Sequence, residues 1–291
     1  MELSTFAISF PIDQETLEEL KELIEECEHS DGRSYRQILN EWAWTSAETK
    51  GFTVVAYDEE RLVGVISAVD MIGVHVYEWS CVVSPSDRRQ GVGMELFNTL
   101  KENMELRGAE GNLGLAISDS ESGKAFMQKM DYHYEFSETT LEAEAFNGEE
   151  TAERLKINMY DGEYEELAPI LMAAFGDTEE EVMALIDFNS HDASRTIWLV
   201  FEEGEAVGTV TTVEAEDSLW ITALAVHPSQ TGKGIGSTLL KHCRFEAGRK
   251  EKEKVMLDVE IDNKEALSIY KRAGFSNVLQ VDYYKTGLPV S

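Results

Sequence analysis

Cysteine is scarce, with three residues (Cys27, Cys81 and Cys243) in a chain of 291. An odd, widely spaced set supports neither a disulfide framework nor a CxxC metal spacing, so no metal site is expected. Basic residues are also in deficit: 25 Lys and Arg stand against 56 Asp and Glu, a net charge of −31. Such a chain repels nucleic-acid phosphates instead of releasing their counterions, which excludes DNA and RNA as direct partners. Long apolar runs are missing as well. The longest, residues 167–175, is far shorter than the roughly 20 residues a membrane span needs, so no membrane partner is expected. No basic segment opens the chain, which argues against a secretory signal and for a cytoplasmic protein.

What is present is ordinary globular material. A hydrophobic content of 43% excludes a disordered or fibrous chain. The length fits two domains of about 150 residues. The acidic excess is read first as solubility and second as attraction for a cationic substrate such as an amine.

The chain repeats itself. Residues 84–93 (SPSDRRQGVG) resemble 227–236 (HPSQTGKGIG), 143 residues on. Asp119-Ser120 through Asp131-Tyr132 lie against Asp262-Asn263 through Gly274-Phe275 at the same 143-residue spacing. Upstream, 57–64 match 201–208 one residue out of step. Three segments in one order at nearly one spacing indicate a tandem duplication.

Each half reads as mixed α/β. In the second, residues 154–160 suit a strand, and 164–175 and 179–189 suit helices. Residues 196–201, 206–215 and 218–226 are β-branched or aromatic runs parted by turn-like Glu203-Gly204 and Glu216-Asp217. A glycine-rich turn leads into a helix carrying Ile235, Leu239, Leu240 and Cys243 at helical spacing. A strand over 255–261 and a helix over 263–272, stopped at Ala273-Gly274, follow. The first half repeats this order, with its last strands ending near Phe146 and a linker at Asn147-Gly148-Glu149-Glu150.

A strand, a glycine-rich turn and a helix start together present unpaired backbone N–H groups, which suit a phosphate or pyrophosphate. Two familiar loops are excluded. The dinucleotide fingerprint needs glycine at 237, which is Ser, and the P-loop needs Ser or Thr after Gly-Lys, where Gly234 stands.

Arg88-Arg89-Gln90-Gly91-Val92-Gly93 resembles the Arg/Gln-x-x-Gly-x-Gly/Ala signature of the GNAT acyl-CoA N-acyltransferase superfamily. Residues 257–275, with Asn263, Ala266, Tyr270, Gly274 and Phe275, resemble that family's next strand and helix, and Asp282-Tyr283-Tyr284-Lys285 its closing strand. The resemblance covers both halves and implies two tandem domains of α/β class, each a mostly antiparallel sheet flanked by helices. The cut falls at 148/149, with 1–148 a degenerate copy and 149–291 the catalytic domain.

The resemblance also implies a chemistry. Acetyl-CoA would lay its pyrophosphate on the N–H groups of Thr231, Gly232, Lys233, Gly234, Ile235 and Gly236. Its pantetheine arm would pair with Leu224, Ala225 and Val226, where a backbone N–H polarises the thioester carbonyl. A primary amine of a small molecule or peptide attacks directly. Tyr270 would protonate the leaving thiolate, and Asn263 would hold the arm or cap its helix. For a base, Glu214, Glu216, Asp258 and Glu260 all stay open. His227 reads as a strand-end residue, and His191 has no assigned role.

The halves differ at decisive positions. The first keeps Arg88, with Arg89, Gly91 and Gly93 forming a possible second cofactor loop, but has Ser120 and Met127 where the second has Asn263 and Tyr270. The second has Thr231 in place of the signature arginine. A non-catalytic acyl-CoA-binding or scaffolding module is the alternative reading, and an acidic interaction protein on a relic fold a third. Acceptor identity, acyl length and oligomeric state are left open, with residues 30–50 and 177–194 the segments expected to shape the acceptor site.

Overall fold

The computed structural model describes residues 3–71, 73–148 and 155–286. Two compact units emerge. Of the described residues, one unit takes those up to 137 and 281–286, the other those between 138 and 280.

The first unit holds β1 (Leu3–Ser9), α1 (Gln14–Asp31), β2 (Gly51–Asp58), β3 (Arg61–Asp70), β4 (Val76–Val83), α2 (Val92–Leu106), β5 (Gly111–Ile117) and α3 (Glu121–Lys129). Short 3-10 turns lie at Glu41–Thr45 and Pro85–Asp87. Helix α1 forms because Leu17, Leu20, Ile24 and Cys27 recur at helical spacing and are all buried. Asp13 caps its start through Thr16 N at 3.0 Å, and Gly32 ends it in the left-handed conformation. One face of the sheet packs a cluster containing Val63, Trp79, Leu96 and Met127; the other packs Val65 and Val82 against α1.

The second unit repeats the plan with β7 (Lys156–Met159), α4 (Tyr164–Phe175), α5 (Glu179–His191), β8 (Arg195–Glu202), β9 (Glu205–Glu214), β10 (Ser218–Val226), α6 (Ile235–Arg249), β11 (Lys254–Glu260) and α7 (Lys264–Arg272). Helix α4 and strand β10 keep the bounds expected from periodicity. Of the strand expected over 154–160, Arg154 lies outside the described residues, as do Glu149 and Glu150 of the expected linker. Val200, Leu219, Leu239 and Leu257 form the core under α6, and Leu167, Val182, Leu199 and Ala225 the core under α4 and α5.

Two long strands, β6 (Tyr132–Glu144) and β12 (Ser276–Thr286), each begin in one unit and end in the other. The end of β6 pairs antiparallel with β11, from Glu138↔Glu260 to Glu144↔Lys254. The end of β12 pairs antiparallel with β5, from Val281↔Ile117 to Lys285↔Leu113. These ladders are the same ladder under the 143-residue shift, so the two halves exchange their closing strands. The compact units therefore divide differently from a cut at 148/149: residues 138–148 go with the second unit, and 281–286 with the first. In the first unit Asp282, 7% exposed, fixes the exchanged strand. It accepts hydrogen bonds from Ser118 and, at 2.7 Å, from Ser137, with Lys124 at 3.7 Å. A buried carboxylate so partnered stabilises one register, because any slip strips its partners.

The pairings in both units are antiparallel except β4–β5 and β10–β11. Each unit is thus a mostly antiparallel sheet flanked by helices. No helix among the described residues is long and apolar enough to cross a membrane.

Candidate functional site

Strands β10 and β11 are parallel neighbours, yet they pair only from Ser218↔Lys254 to Trp220↔Met256. Strand β10 continues to Val226 and β11 to Glu260, so beyond Trp220 the sheet opens. On its other edge β10 stays paired with β9, with a register shift between Thr222 and Ala225. Within that shift Ala223 takes φ +46°, a left-handed conformation that bends the strand. The β10 backbone groups turned towards β11 face a gap that an extended ligand can pair with.

The gap ends at the glycine-rich turn. A 3-10 turn at Pro228–Gln230 is capped by His227, whose Nδ1 accepts from Ser229 N at 3.3 Å. Gly232 and Gly234 follow at φ +79° and +85°. A Cβ at either would meet no atom within 4 Å. Glycine is favoured there by backbone conformation, and the space above the turn is open. No side chain caps the start of α6, whereas Asn263 caps α7 by accepting from Ala266 N at 3.1 Å. The first-turn N–H groups of α6 and its dipole are therefore available to an anion, an interaction worth about 0.3–1 kcal/mol at an exposed terminus.

The expected site residues divide by role. Leu224, Val226, Ile235 and Tyr270 all pack on the core under α6, while Ala225 packs on the opposite core. Thr231, Gly232, Lys233 and Gly234 are exposed on the turn, and Gly236 is half-buried, its Cβ position 3.8 Å from Val226. The Thr231 hydroxyl donates to the Pro228 carbonyl at 2.9 Å. Lys233 donates to Gln230 and lies 3.7 Å from Glu202. What the turn leaves open to an anion is thus chiefly its backbone. Half-buried Tyr270 lies edge-on to Phe275, ring centroids 6.1 Å apart, and burial raises its phenol above the ordinary value. It stays protonated through neutral pH.

Arg88, Arg89, Gly91 and Gly93 form the matching turn of the first unit. There β4 and β5 pair only from Val76↔Gly111 to Trp79↔Gly114, leaving the same opening. Arg89 at φ +64° and Gly91 at +97° reproduce the backbone of Gly232 and Gly234. A cavity of about 240 Å³ is lined by Val83, Arg88, Arg89, Gly91, Gly93 and Phe126, among others. The signature arginine is engaged within the protein: Arg88 Nη1 and Nη2 donate to the two oxygens of Asp31 at 2.8 and 2.6 Å, and its Nε donates to the Val83 carbonyl at 2.9 Å. This fork holds the Asp31 carboxyl below its ordinary value. The Phe126 ring stands 3.2 Å from where a Gly93 Cβ would sit, and Met127 is 2% exposed in the core.

A model of the acetyltransferase (GNAT) family matches residues 17–132 and 160–275, two segments in the same 143-residue relation. The chain belongs to this acetyltransferase family. GNAT structures share its fold at low identity. A GCN5-related N-acetyltransferase from Sphaerobacter thermophilus is 19% identical with a TM-score of 0.75, covering 97% of this chain and 95% of its own. A tandem GNAT protein from the clavulanic acid biosynthesis pathway is 14% identical with a TM-score of 0.73, covering 98% of both chains. No curated protein matches the chain.

Three features of this GNAT chain have no clear signal in the sequence. They are the bend at Ala223, the Asp31–Arg88 pair across 57 positions, and a hydrogen bond to Asp258 from Thr140, on the strand that β6 brings to β11. Of the other base candidates, Glu214 forms an ion pair with Lys250, and Glu216 sits exposed in the turn before β10.

Proposed function

We propose that the second unit transfers an acetyl group from acetyl-CoA to a primary amine of a small molecule or peptide. The observation that carries this reading is the parallel ladder open past Trp220, ending at an uncapped glycine turn. Acetyl-CoA lays its pyrophosphate on the turn and α6 and its pantetheine arm along Leu224–Val226. A β10 N–H facing the gap donates to the thioester oxygen and stabilises charge as the amine attacks. Tyr270, a phenol that burial raises further, gives its proton to the departing thiolate. Asn263 fixes the start of the helix that carries Tyr270. The first unit, with Met127 in place of the phenol, is a non-catalytic partner of the same fold.

The alternative, acyl-CoA binding without turnover, is favoured by Met127 in place of the phenol in the first half and by Thr231 in place of the signature arginine in the second. Calorimetric titration with acetyl-CoA separates the readings when paired with thiol release in the presence of primary amines. Binding plus amine-dependent thiol release supports transfer; binding alone supports the scaffold. Gly236→Glu adds bulk and negative charge beside the turn and is expected to weaken binding at the second unit at least 100-fold. Undiminished binding would move the donor elsewhere.

A further inference from the structure

We infer that Asp258, held in place by Thr140, receives the proton of the attacking amine. This rests on the acetyl-transfer reading above and names the residue that meets the acceptor. Met256 is the last β11 residue paired with β10, so Asp258, two residues on, is the first acidic side chain beside the opening. Val255, Leu257 and Val259 face the core under α6. Strand alternation therefore turns Asp258 to the other face of the sheet, where it is exposed. Tyr270 packs on the α6 side. Acid and base thus approach the opening from opposite faces, with the thioester between them.

The orientation of Asp258 is also fixed from across the ladder. Thr140, 2% exposed, lies directly across the β6–β11 ladder and donates its hydroxyl to Asp258 Oδ1 at 2.6 Å. One carboxylate oxygen is oriented by the protein, in a charge-assisted bond that selects one rotamer. Thr140 is encoded in the first half of the chain and reaches this ladder because the halves exchange closing strands. Glu260 and Glu138, cross-strand partners on the same face, add negative potential that attracts a cationic amine.

The step balances. The bound ammonium first gives one proton to water, and the uncharged amine then forms the C–N bond as the C–S bond breaks, its electron pair leaving with sulfur. The nitrogen becomes strongly acidic once bound to the carbonyl carbon, so a carboxylate suffices to take its proton. Asp258 passes that proton to water; Tyr270 protonates the sulfur and regains its proton from water. Amine and acetyl-CoA give amide and CoA thiol.

The test uses the full chain, acetyl-CoA, and spermidine, tyramine and L-lysinamide as acceptors, with thiol release as the readout. Asp258→Asn is expected to lower kcat/KM for the best acceptor about 100-fold, with KM for acetyl-CoA within twofold. Thr140→Val is expected to lower kcat about tenfold at unchanged acetyl-CoA KM, and Thr140→Ser to restore it within twofold. Turnover within threefold in Asp258→Asn overturns the assignment and leaves the transfer reading standing. Equal losses in Thr140→Val and Thr140→Ser, with a raised acetyl-CoA KM, reduce Thr140 to packing and overturn its positioning role. If the unaltered chain acetylates none of the three amines, this inference falls with the reading it rests on.

Discussion

In the second unit a phenol, Tyr270, half-buried and raised by burial, occupies the position that Met127 fills in the core of the first. In the first unit an arginine, Arg88, occupies the position that Thr231 holds in the second, but its fork is committed to Asp31. The backbone of the two turns is nonetheless alike, down to left-handed residues at 89 and 91 and at 232 and 234. Duplication has thus preserved the backbone of the turn and let the side chains diverge. A turn built on backbone N–H groups and glycine conformation tolerates the loss of one arginine. A proton donor has no backbone substitute, and the thioether at 127 cannot supply one.

Position 270 carries the largest difference between the units. Tyr270→Phe removes one hydroxyl and is expected to lower turnover about 100-fold with acetyl-CoA affinity unchanged, measured by thiol release and calorimetry. Equal turnover would strip the phenol of its role. A pH profile sharpens the point. Because burial raises the phenol, the unaltered rate is expected to hold through neutral pH and fall only above about pH 10, a limb absent from the Tyr270→Phe residual.

The reciprocal substitution comes next. Met127→Tyr places the missing phenol in the first unit, where the Met127 sulfur lies 2.7 Å from the Cβ position of Gly114 and Trp79 is 3.0 Å from it. A larger ring in so tight a site is expected to cost about 1–3 kcal/mol, read from denaturant midpoints. In a Tyr270→Phe background it is expected to restore no turnover. Restored turnover would show that the first unit lacks only its acid.

Much of this contrast was legible in the sequence. The 143-residue spacing aligns Met127 with Tyr270, and helix α4 and strand β10 follow from local periodicity. Asn263 reads as a cap because Asn satisfies a helix N–H from that position. The exchange of closing strands was not legible. Residues 138–144 and 281–285 hold corresponding positions in the repeat and no local pattern names the partner sheet of either; the pairing is decided by long-range packing such as the burial of Asp282. The Thr140–Asp258 bond, which follows from that exchange, spans 118 positions and carries no local pattern. Sequence could put Asp258 among four acidic candidates, but choosing it required knowing where β10 and β11 part.

The smallest expected effect tests the Asp31–Arg88 pair. Its geometry is a two-point fork with Asp31 17% and Arg88 32% exposed in their side chains, so Asp31→Asn is expected to destabilise the first unit by about 1 kcal/mol at pH 7. The sign with pH follows from the lowered carboxyl. A depressed folded value contributes stability above the unfolded value near 4 and loses it as pH falls through the folded one. Denaturant midpoints of the two proteins should therefore differ at neutral pH and converge on acidification below about pH 4. The same change frees the Arg88 fork at the mouth of the 240 Å³ cavity. With Gly236→Glu silencing the second unit, any acetyl-CoA affinity that remains is expected to rise several-fold in Asp31→Asn. No change would mean that the first unit is closed by Phe126 over Gly93 rather than by its engaged arginine, placing the divergence in shape instead of charge.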